Sequence, residues 1–320
     1  MVEINMNRVL ILADSREYIR NNCFQLQLHE SINPLKKNFQ IEYFYLNPQK
    51  LRKYEIFKLK SKSYQFVLST LRQRVLFNNI ALITKIVGDT PLKVYDQDPW
   101  QNYIDNSLTN GCYTLLQNNF QLSNIFVTSD YWANYISNVD KIPSIFVKMG
   151  MLPKLCQIGS TQIERGKSVE FKGSVHPHRQ EAFNIMSKNG QIIKINSEIL
   201  KYPRYLKYLQ NLAIFVHDES GDWICRGEKI PRGTGMWVKD IEVASQGCFS
   251  IRNYNEESKT YSIDNIPLIR FYDDPSEVKN IVEEIFSLSE KKFNEIQSSS
   301  VQYISTNDNW AETTNRIFNS

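Results

Sequence analysis

The stretch RVLILADS, from Arg8 to Ser15, decides the fold class of this chain. Its first six residues form a short, mostly apolar run, which is typical of a parallel strand that is buried on both faces. Residues 16–30 can then form a helix, and FQIEYFYL, from Phe39 to Leu46, has the pattern of a second strand. This strand–helix–strand order predicts an α/β domain that opens with a βαβ unit.

The same alternation continues to about residue 150. We predict a helix over residues 50–78, and further strands at Asn79–Val87, Leu92–Tyr95, Ile125–Thr128 and Ile145–Val147. Ser129 with Asp130 is a helix N-cap signal. The segment Met149–Pro153 then predicts a junction between domains.

The second half of the chain restarts the alternation. We predict strands at Val169–Lys172, Gln191–Ile195, Leu212–Val216, Cys248–Ile251 and Leu268–Tyr272. The predicted helices are Gln180–Lys188, Tyr205–Gln210, Val238–Ser245 and Glu277–Leu288, with a glycine-interrupted loop over residues 217–236. The length of 320 residues suits two domains, which we place at residues 1–155 and 156–320. The last helix, with Trp310, Ile317 and Phe318, can return to the N-terminal domain.

Charge and cysteine content exclude several classes of protein. The net charge of +4 is small and spread along the chain, whereas a nucleic-acid binder has a more focused excess, so no nucleic-acid partner is expected. The densest basic stretch, Lys50–Lys62, is interpreted as a solvated helix face or as a patch for an anionic membrane surface. The five cysteines form no CxxC pair, which favours reduced thiols over a metal site or disulfides. Without a signal-like start or a run of about 18 apolar residues, we expect a cytoplasmic protein, with peripheral contact at the inner face of the membrane as an option.

Two segments of the second half resemble GT-B glycosyltransferases. One is FKGSVHPHRQEAF, from Phe171 to Phe183, and the other is RGTGMWVKDIEVASQGCFSIRNYNEES, from Arg232 to Ser258, followed by LIRFYDDPSEVKNIVEEIF. Within these enzymes the likeness is to the "glycosyl transferases group 1" type domain of spore-maturation-like sugar transferases. The resemblance implies two Rossmann-like domains that face each other across a cleft. It also implies a metal-independent enzyme that moves a sugar from a nucleotide-sugar to a hydroxyl of a glycan, a lipid-linked acceptor or a small molecule.

Four residues of these segments suit the diphosphate of such a donor. Two phosphate charges require backbone N–H donors at a helix N-terminus and at least one cation. Gly173 lets the backbone approach closely, and Arg179 can clamp a phosphate. Arg232 and Lys239 are further cations near the same expected strand ends. The donor is a co-substrate, and no other cofactor is expected.

Glu242 is the candidate for binding the ribose of the donor. An ionised carboxylate accepts hydrogen bonds from both ribose hydroxyls, and the resemblance places a Glu with this role here. Many retaining members carry a second acid before this Glu, with seven residues between the two. Thr234 occupies that position in this chain, so inversion and retention of the sugar configuration both stay open.

Three aspartates are candidates for the general base that an inverting transferase needs. Asp14, Asp96 and Asp98 all lie at the ends of predicted strands in the N-terminal half. The letters Asp96-Gln97-Asp98 also match the DxD motif of a different transferase fold, in which it binds a metal, but here no metal is expected.

Each candidate has a structural alternative. Gly173 can be a turn glycine, Arg179 a surface charge, and Glu242 the partner of Lys239 in a helix. Asp14 can be a helix cap, and the other two aspartates can form Asx turns. For the whole chain, the alternatives to a transferase are a nucleotide-sugar epimerase or hydrolase, and a non-catalytic transferase-like binding protein.

Overall fold

The computed structural model describes residues 7–46, 59, 62–235, 238–307 and 310–320. These residues form two units, each built around a parallel sheet. The first unit extends to Lys148 and is joined by residues 224–229 and 311–320. The second unit contains residues 149–223 and 230–310.

The first unit is a six-stranded sheet with helical connections. In chain order, its strands are β1 (Asn7–Ala13), β2 (Phe39–Tyr45), β3 (Phe66–Ser69), β4 (Leu92–Asp96), β5 (Leu122–Val127) and β6 (Ser144–Phe146). They pair in the order β2-β1-β3-β4-β5-β6, and every pair is parallel. Its helices are α1 (Arg16–Asn21), α2 (Cys23–Ile32), α3 (Gln73–Asn78), α4 (Ile80–Val87), α5 (Cys112–Asn119) and α6 (Asp130–Tyr135). Residues Val9 to Ala13 of β1 are completely buried, as their apolar run predicts.

The second unit has a five-stranded parallel sheet. Its strands are β7 (Val169–Lys172), β8 (Lys194–Asn196), β9 (Ile214–His217), β12 (Phe249–Asn253) and β13 (Ile269–Tyr272). They pair in the order β13-β12-β9-β7-β8. The chain runs from β7 outward to the edge strand β8, and then crosses to β9 on the other side of β7. The strand order therefore reverses between β7 and β9, the point at which open α/β sheets bind ligands.

The helices of the second half of the chain precede, connect or follow these strands. They are α7 (Gln162–Arg165), α8 (Pro177–Lys188), α9 (Tyr202–Asn211), α10 (Val238–Ser245), α11 (Glu257–Tyr261), α12 (Val278–Ser287), α13 (Glu290–Asn307) and α14 (Trp310–Asn319). Helix α14 carries residues of the first unit, where the Lys93 Nζ donates to the carbonyl oxygens of Ile317 and Ser320 at 2.9 and 2.7 Å.

Two predicted elements of the first half are wrong. Asn79–Val87 was expected to be a strand, but Ile80–Val87 is a helix whose buried residues Ile83, Ile86 and Val87 follow the spacing of one helical face. A short apolar run does not distinguish a buried strand from a buried helix, and this one followed the helical period. Conversely, the predicted helix over residues 50–78 contains strand β3. The basic stretch Lys50–Lys62, apart from Leu59 and Lys62, lies outside the described residues.

The predicted loop over residues 217–236 is also wrong in part. It contains a β-hairpin formed by β10 (Asp222–Cys225) and β11 (Glu228–Pro231). The two residues of its turn, Arg226 and Gly227, have φ angles of +52° and +80°, as a type I′ turn requires. Arg226 is an unusual residue for this position, which is why the turn escaped sequence reasoning.

Some of the other boundaries agree with the predictions, whereas β8 begins three residues after the start of the predicted strand Gln191–Ile195. Helix α10 and strand β7 have the predicted limits, and Ser129 caps α6 by accepting a hydrogen bond from the Trp132 amide. Helix α8 begins at Pro177, three residues earlier than predicted, because proline suits the first turn of a helix. Among the described residues, no helix is long and apolar enough to span a membrane.

Candidate functional site

The first group of candidate residues lies at the carboxyl ends of β7 and β9. Gly173 directly follows β7, and helix α8 begins four residues later at Pro177. The N-cap residue of α8, His176, makes no side-chain capping bond. The first amides of α8 are thus available to an anion at the point where the strand order reverses.

Arg179, in the first turn of α8, is held by three groups of the protein. Its Nη1 donates to the Ser174 carbonyl at 2.8 Å, and its Nε donates to the Asp218 carbonyl at 3.0 Å. Its Nη2 forms an ion pair with the Glu219 carboxylate. The predicted phosphate clamp therefore already has an anionic partner in the protein, and its role in donor binding stays a prediction.

Glu219 is the central acid of this cluster. Its Oε1 lies 2.8 Å from the His217 Nε2, and its Oε2 lies 3.7 Å from the His178 Nε2. Burial raises the pKa of Glu219, but the neighbouring His178, His217 and Arg179 outweigh burial and hold the pKa well below its ordinary value. Glu219 is therefore ionised at neutral pH, and its carboxylate contacts the side chains of His178, Arg179 and His217. Sequence reasoning missed this acid, although it follows a buried strand in the segment His217-Asp218-Glu219.

One of the two histidines leaves a polar atom open for a ligand. Burial lowers the pKa of His217, and Glu219 opposes this shift only in part, so the ring is neutral at pH 7. Within the described part of the chain, Nδ1 of His217 is buried and has no hydrogen-bond partner, whereas Nε2 of His178 faces the Glu219 carboxylate. Buried polar atoms are usually paired, so Nδ1 of His217 indicates a site for a hydrogen-bonding ligand.

Arg232 is the cation of this region with the fewest protein partners. The residue is half-buried, and it forms no ion pair with any residue that the structure describes. Its guanidinium lies 5.5 Å from the ring centre of Trp223. Burial lowers the pKa of Arg232, the charge of Glu219 opposes this effect, and Arg179 adds to it. Because the charges of Glu219 and Arg179 both affect the pKa of Arg232, this residue belongs to the same cluster.

Gly173 and Lys239 also lie together. Gly173 has a φ angle of +146°, which favours glycine, and a methyl group at this residue would come within 3.8 Å of the Lys239 Nζ. The Lys239 Nζ lies 3.5 Å from the Lys172 carbonyl, at the end of β7. The structure therefore brings together a backbone that a ligand can approach and a flexible cation.

Helix α10 carries the remaining candidate, Glu242, which is only 2 % exposed. Two residues earlier, Asp240 forms a buried ion pair of 2.6 Å with Arg252 and accepts a 2.6 Å hydrogen bond from Ser250. Both partners lie on β12, so this pair ties α10 to the sheet and orients the helix that presents Lys239 and Glu242.

The second group of candidate residues lies in the first unit, around a pocket of 240 Å³. The pocket is lined by Tyr18, Gln25, Leu71, Arg72, Gln73, Arg74, Tyr95, Asp96, Gln97, Asp98 and Gln101. Asp14 is buried beside it, accepting hydrogen bonds from the Arg72 amide at 3.1 Å and from the Arg72 Nη2 at 2.9 Å. Because Arg72 is the N-cap of α3, Asp14 has the structural role of anchoring the start of that helix.

The two other aspartates differ in their partners. Asp96 is buried and accepts hydrogen bonds from the Tyr113 hydroxyl at 2.7 Å, the Asp98 amide at 2.9 Å and the Gln73 side chain. Burial raises the pKa of Asp96, although these bonds oppose the shift. Burial also raises the pKa of Asp98 to about 7; the charge of Asp96 adds to the rise, and Gln97 opposes it. Asp98 is thus the carboxylate of this pocket that is suited to accept a proton near neutral pH.

The Asp96–Asp98 segment carries the letters of a metal-binding motif. Over the described ranges, no group of three or more His, Cys, Asp and Glu side chains is arranged as a metal site would require.

Comparison with known proteins relates the fold to solved structures. No protein-family model matches the sequence, and no curated protein sequence matches it significantly. The structure of Anabaena HepE in complex with UDP and glucose has a TM-score of 0.60 and 11 % identity, with 98 % of each chain covered. The structure of trehalose-6-phosphate from E. coli bound with UDP-2-fluoro glucose has a TM-score of 0.57 and 10 % identity, covering 97 % of this chain and 98 % of that one. An alpha-glucosyltransferase in complex with UDP and DNA has a TM-score of 0.55 and 10 % identity, covering 98 % and 99 %.

These similar structures are GT-B glycosyltransferases, and the likeness extends over nearly the whole chain. This chain therefore has the GT-B fold, and the predicted fold class is confirmed.

Proposed function

We propose that this protein is a glycosyltransferase that moves a sugar from a nucleotide-sugar to an acceptor hydroxyl. The observation that carries the proposal is the set of residues around the uncapped start of α8 in a GT-B fold, with Gly173 and Lys239 at the end of β7 and Arg232 near Glu219 and Arg179. A fold alone does not define a reaction, but this cluster has the charge and the backbone donors that a diphosphate requires.

The donor is proposed to bind to the second unit. Its diphosphate would contact the first amides of α8, Lys239 and Arg232, while the buried Glu242 would accept hydrogen bonds from the ribose hydroxyls. HepE and the alpha-glucosyltransferase have been solved with UDP, so a UDP-sugar is the first donor to test.

The pocket of the first unit is the proposed acceptor site, and Asp98 is the proposed general base of an inverting reaction. Asp98 would take the proton from the acceptor hydroxyl, whose oxygen would form a bond with the anomeric carbon of the sugar. The bond from that carbon to the diphosphate would break, and the nucleoside diphosphate would leave with the bonding electrons. Lys239 and Arg232 would stabilise the negative charge that develops on the leaving group, so no metal is required.

We propose a cytoplasmic enzyme that acts on a glycan, a lipid-linked acceptor or a small molecule, with peripheral contact at the inner face of the membrane as an option and without a nucleic-acid partner. An epimerase or hydrolase would differ from a transferase by consuming donor without any acceptor. A non-catalytic relative would bind nucleotide without turnover, or would not bind it at all.

Thermal unfolding in the presence of UDP, GDP, CMP and dTDP tests the donor site. A nucleotide at a hundred times its dissociation constant should stabilise the protein by about 2.7 kcal/mol, which is an easily measured shift. We expect a shift with one nucleotide class, and we expect Arg232→Ala to remove it while the exposed Lys229→Ala retains it. If no nucleotide shifts the melting temperature of the wild-type protein, the proposed donor site is wrong.

A further inference from the structure

The segment from Lys188 to Lys207 contains the free edge of the sheet in the second unit, and is called the β8 edge below. Among the described residues, strand β8 is the outermost strand of its sheet and pairs with β7, through Glu170 with Lys194, Phe171 with Ile195 and Lys172 with Asn196. An edge strand is a surface that a protein must protect or use.

Three isoleucines of the β8 edge are exposed to solvent. Ile192, Ile195 and Ile199 are 78 %, 43 % and 96 % exposed. Their positions in the sequence place them at most about 10 and 14 Å apart in succession. Single exposed apolar residues are common on proteins, but three exposed isoleucines within eight residues are typical of an interaction surface.

The same twenty residues are strongly basic. They contain one acid, Glu198, and five cations, all exposed, namely Lys188, Lys194, Lys201, Arg204 and Lys207. The net charge of these twenty residues is +4. The Lys194 Nζ lies 3.1 Å from Glu170, but its side chain is still 72 % exposed.

We propose that the β8 edge binds the surface of a membrane that contains anionic lipids. Exposed isoleucines can enter the boundary between headgroups and acyl chains, and the exposed lysines and arginine of the same segment can contact lipid phosphates. The combination requires both kinds of residue, because either the apolar side chains or the cations alone would bind weakly. The contact would be peripheral and reversible, and it would weaken as salt screens the charges.

Charge argues against two other occupants of this edge. A second copy of the chain would bring two sets of the same five cations together, and like charges on adjacent strands repel. Single-stranded nucleic acid would match the cations, but its bases stack on accessible aromatic side chains, whereas Tyr202 and Tyr205 of this segment are buried and half-buried.

Vesicle co-sedimentation of the full chain tests the proposal. We expect the protein to pellet with vesicles of equal parts phosphatidylcholine and phosphatidylglycerol, but not with pure phosphatidylcholine, and to be released by high salt. The double variant Ile192→Ser/Ile199→Ser and the double variant Lys201→Glu/Lys207→Glu should each weaken binding at least tenfold, since each cation near an anionic surface is worth about fivefold.

Matched control variants distinguish vesicle binding by the β8 edge from nonspecific adsorption of the protein to vesicles. Ile163→Ser changes an isoleucine that is 75 % exposed outside the edge, and Lys85→Glu/Lys291→Glu reverses two exposed charges elsewhere. Both controls should bind vesicles like the wild type, and all variants should keep the wild-type melting temperature. Equal losses in the controls, or no binding of the wild type, would overturn the proposal.

Two further measurements distinguish membrane binding from dimerisation and from nucleotide binding. If sedimentation velocity shows a dimer that the isoleucine variant converts to a monomer, and no vesicle binding is seen, the edge joins two copies and the membrane proposal is wrong. Nucleotide-dependent stabilisation should be unchanged in the edge variants, because the donor residues lie outside the edge. The membrane proposal therefore stands or fails independently of the transferase proposal.

Discussion

The two candidate sites occupy equivalent places in two similar sheets but have opposite electrostatics. In each unit, the polar residues follow the carboxyl ends of parallel strands, β1 and β4 in the first, and β7 and β9 in the second. In the first unit, burial raises the pKa of Asp98, so this carboxylate is protonated more readily than usual. In the second unit, cations and histidines keep Glu219 ionised. The sheet thus determines where a site lies, and the side chains at the strand ends determine its chemistry.

The largest effect is expected from Asp98→Asn, which removes the proposed base. Sugar transfer should fall by about 10²–10⁴-fold, the usual contribution of general acid–base catalysis. The wild-type rate should rise with pH through about 7, because the carboxylate must be deprotonated to accept a proton. This rise should be absent in the variant and present in the control Asp89→Asn, which changes an exposed acid.

The same variant should also gain stability at high pH. The folded pKa of Asp98 lies above the ordinary value of 3.8, so the folded state holds the proton more tightly and wild-type stability falls as pH rises from about 4 to 7. Asp98→Asn should therefore raise the melting temperature at pH 8 and change it little at pH 4. A variant that is less stable at pH 8 would contradict the proposed environment of Asp98.

A somewhat smaller effect is expected from Arg232→Ala in the second unit. Loss of a cation that stabilises the leaving diphosphate should lower turnover by about 10²–10³-fold, as for other groups that stabilise charge in a transition state. Kinetics with saturating donor should show the loss in kcat, and Lys229→Ala serves as the exposed control three residues away. Normal turnover of purified Arg232→Ala would remove this residue from the donor site.

Glu242→Gln should weaken nucleotide binding by about ten- to a hundredfold, because a charged acceptor is replaced by a neutral amide of similar shape. Isothermal titration with the nucleotide that stabilises the wild type measures this loss, and the exposed Glu256→Gln is the control. A free base of the same nucleotide should bind both proteins equally. Unchanged affinity of Glu242→Gln for the nucleotide would show that this carboxylate has a structural role.

The smallest effect is expected from Glu219→Gln. This substitution removes the ionised acid of the site in the second unit and so reduces the electrostatic difference between the two sites. Arg179 would lose its anionic partner and become available to a phosphate, so nucleotide should bind about fivefold more tightly, a gain of about 1 kcal/mol. The melting temperature without nucleotide should fall, since Glu219 bridges Arg179 and His217. The exposed Glu228→Gln should alter neither quantity. Weaker nucleotide binding by Glu219→Gln would instead indicate that Glu219 holds Arg179 in a binding position.

The sequence by itself determined the fold class and the places of the candidate sites. The run RVLILA predicts a buried strand because continuous apolar residues must be covered on both faces, and β1 is buried accordingly. Capping chemistry is equally local, so Ser129 was interpreted correctly as the start of a helix. The sequence did not determine the element at Ile80–Val87, because a short apolar run fits the periodicity of a strand as well as that of a helix. The helix is observed only in the folded protein, where Ile83, Ile86 and Val87 are buried.

Only the tertiary structure decided how the candidate residues are partnered. Asp14 and Asp98 have the same side chain and follow similar strands, but Arg72 neutralises the first, whereas burial beside Asp96 raises the pKa of the second. Arg179 meets Glu219, forty residues away in the chain, because β7 and β9 bring the two loops together. Pairing, burial and pKa depend on contacts between distant segments, and no local pattern of residues encodes them.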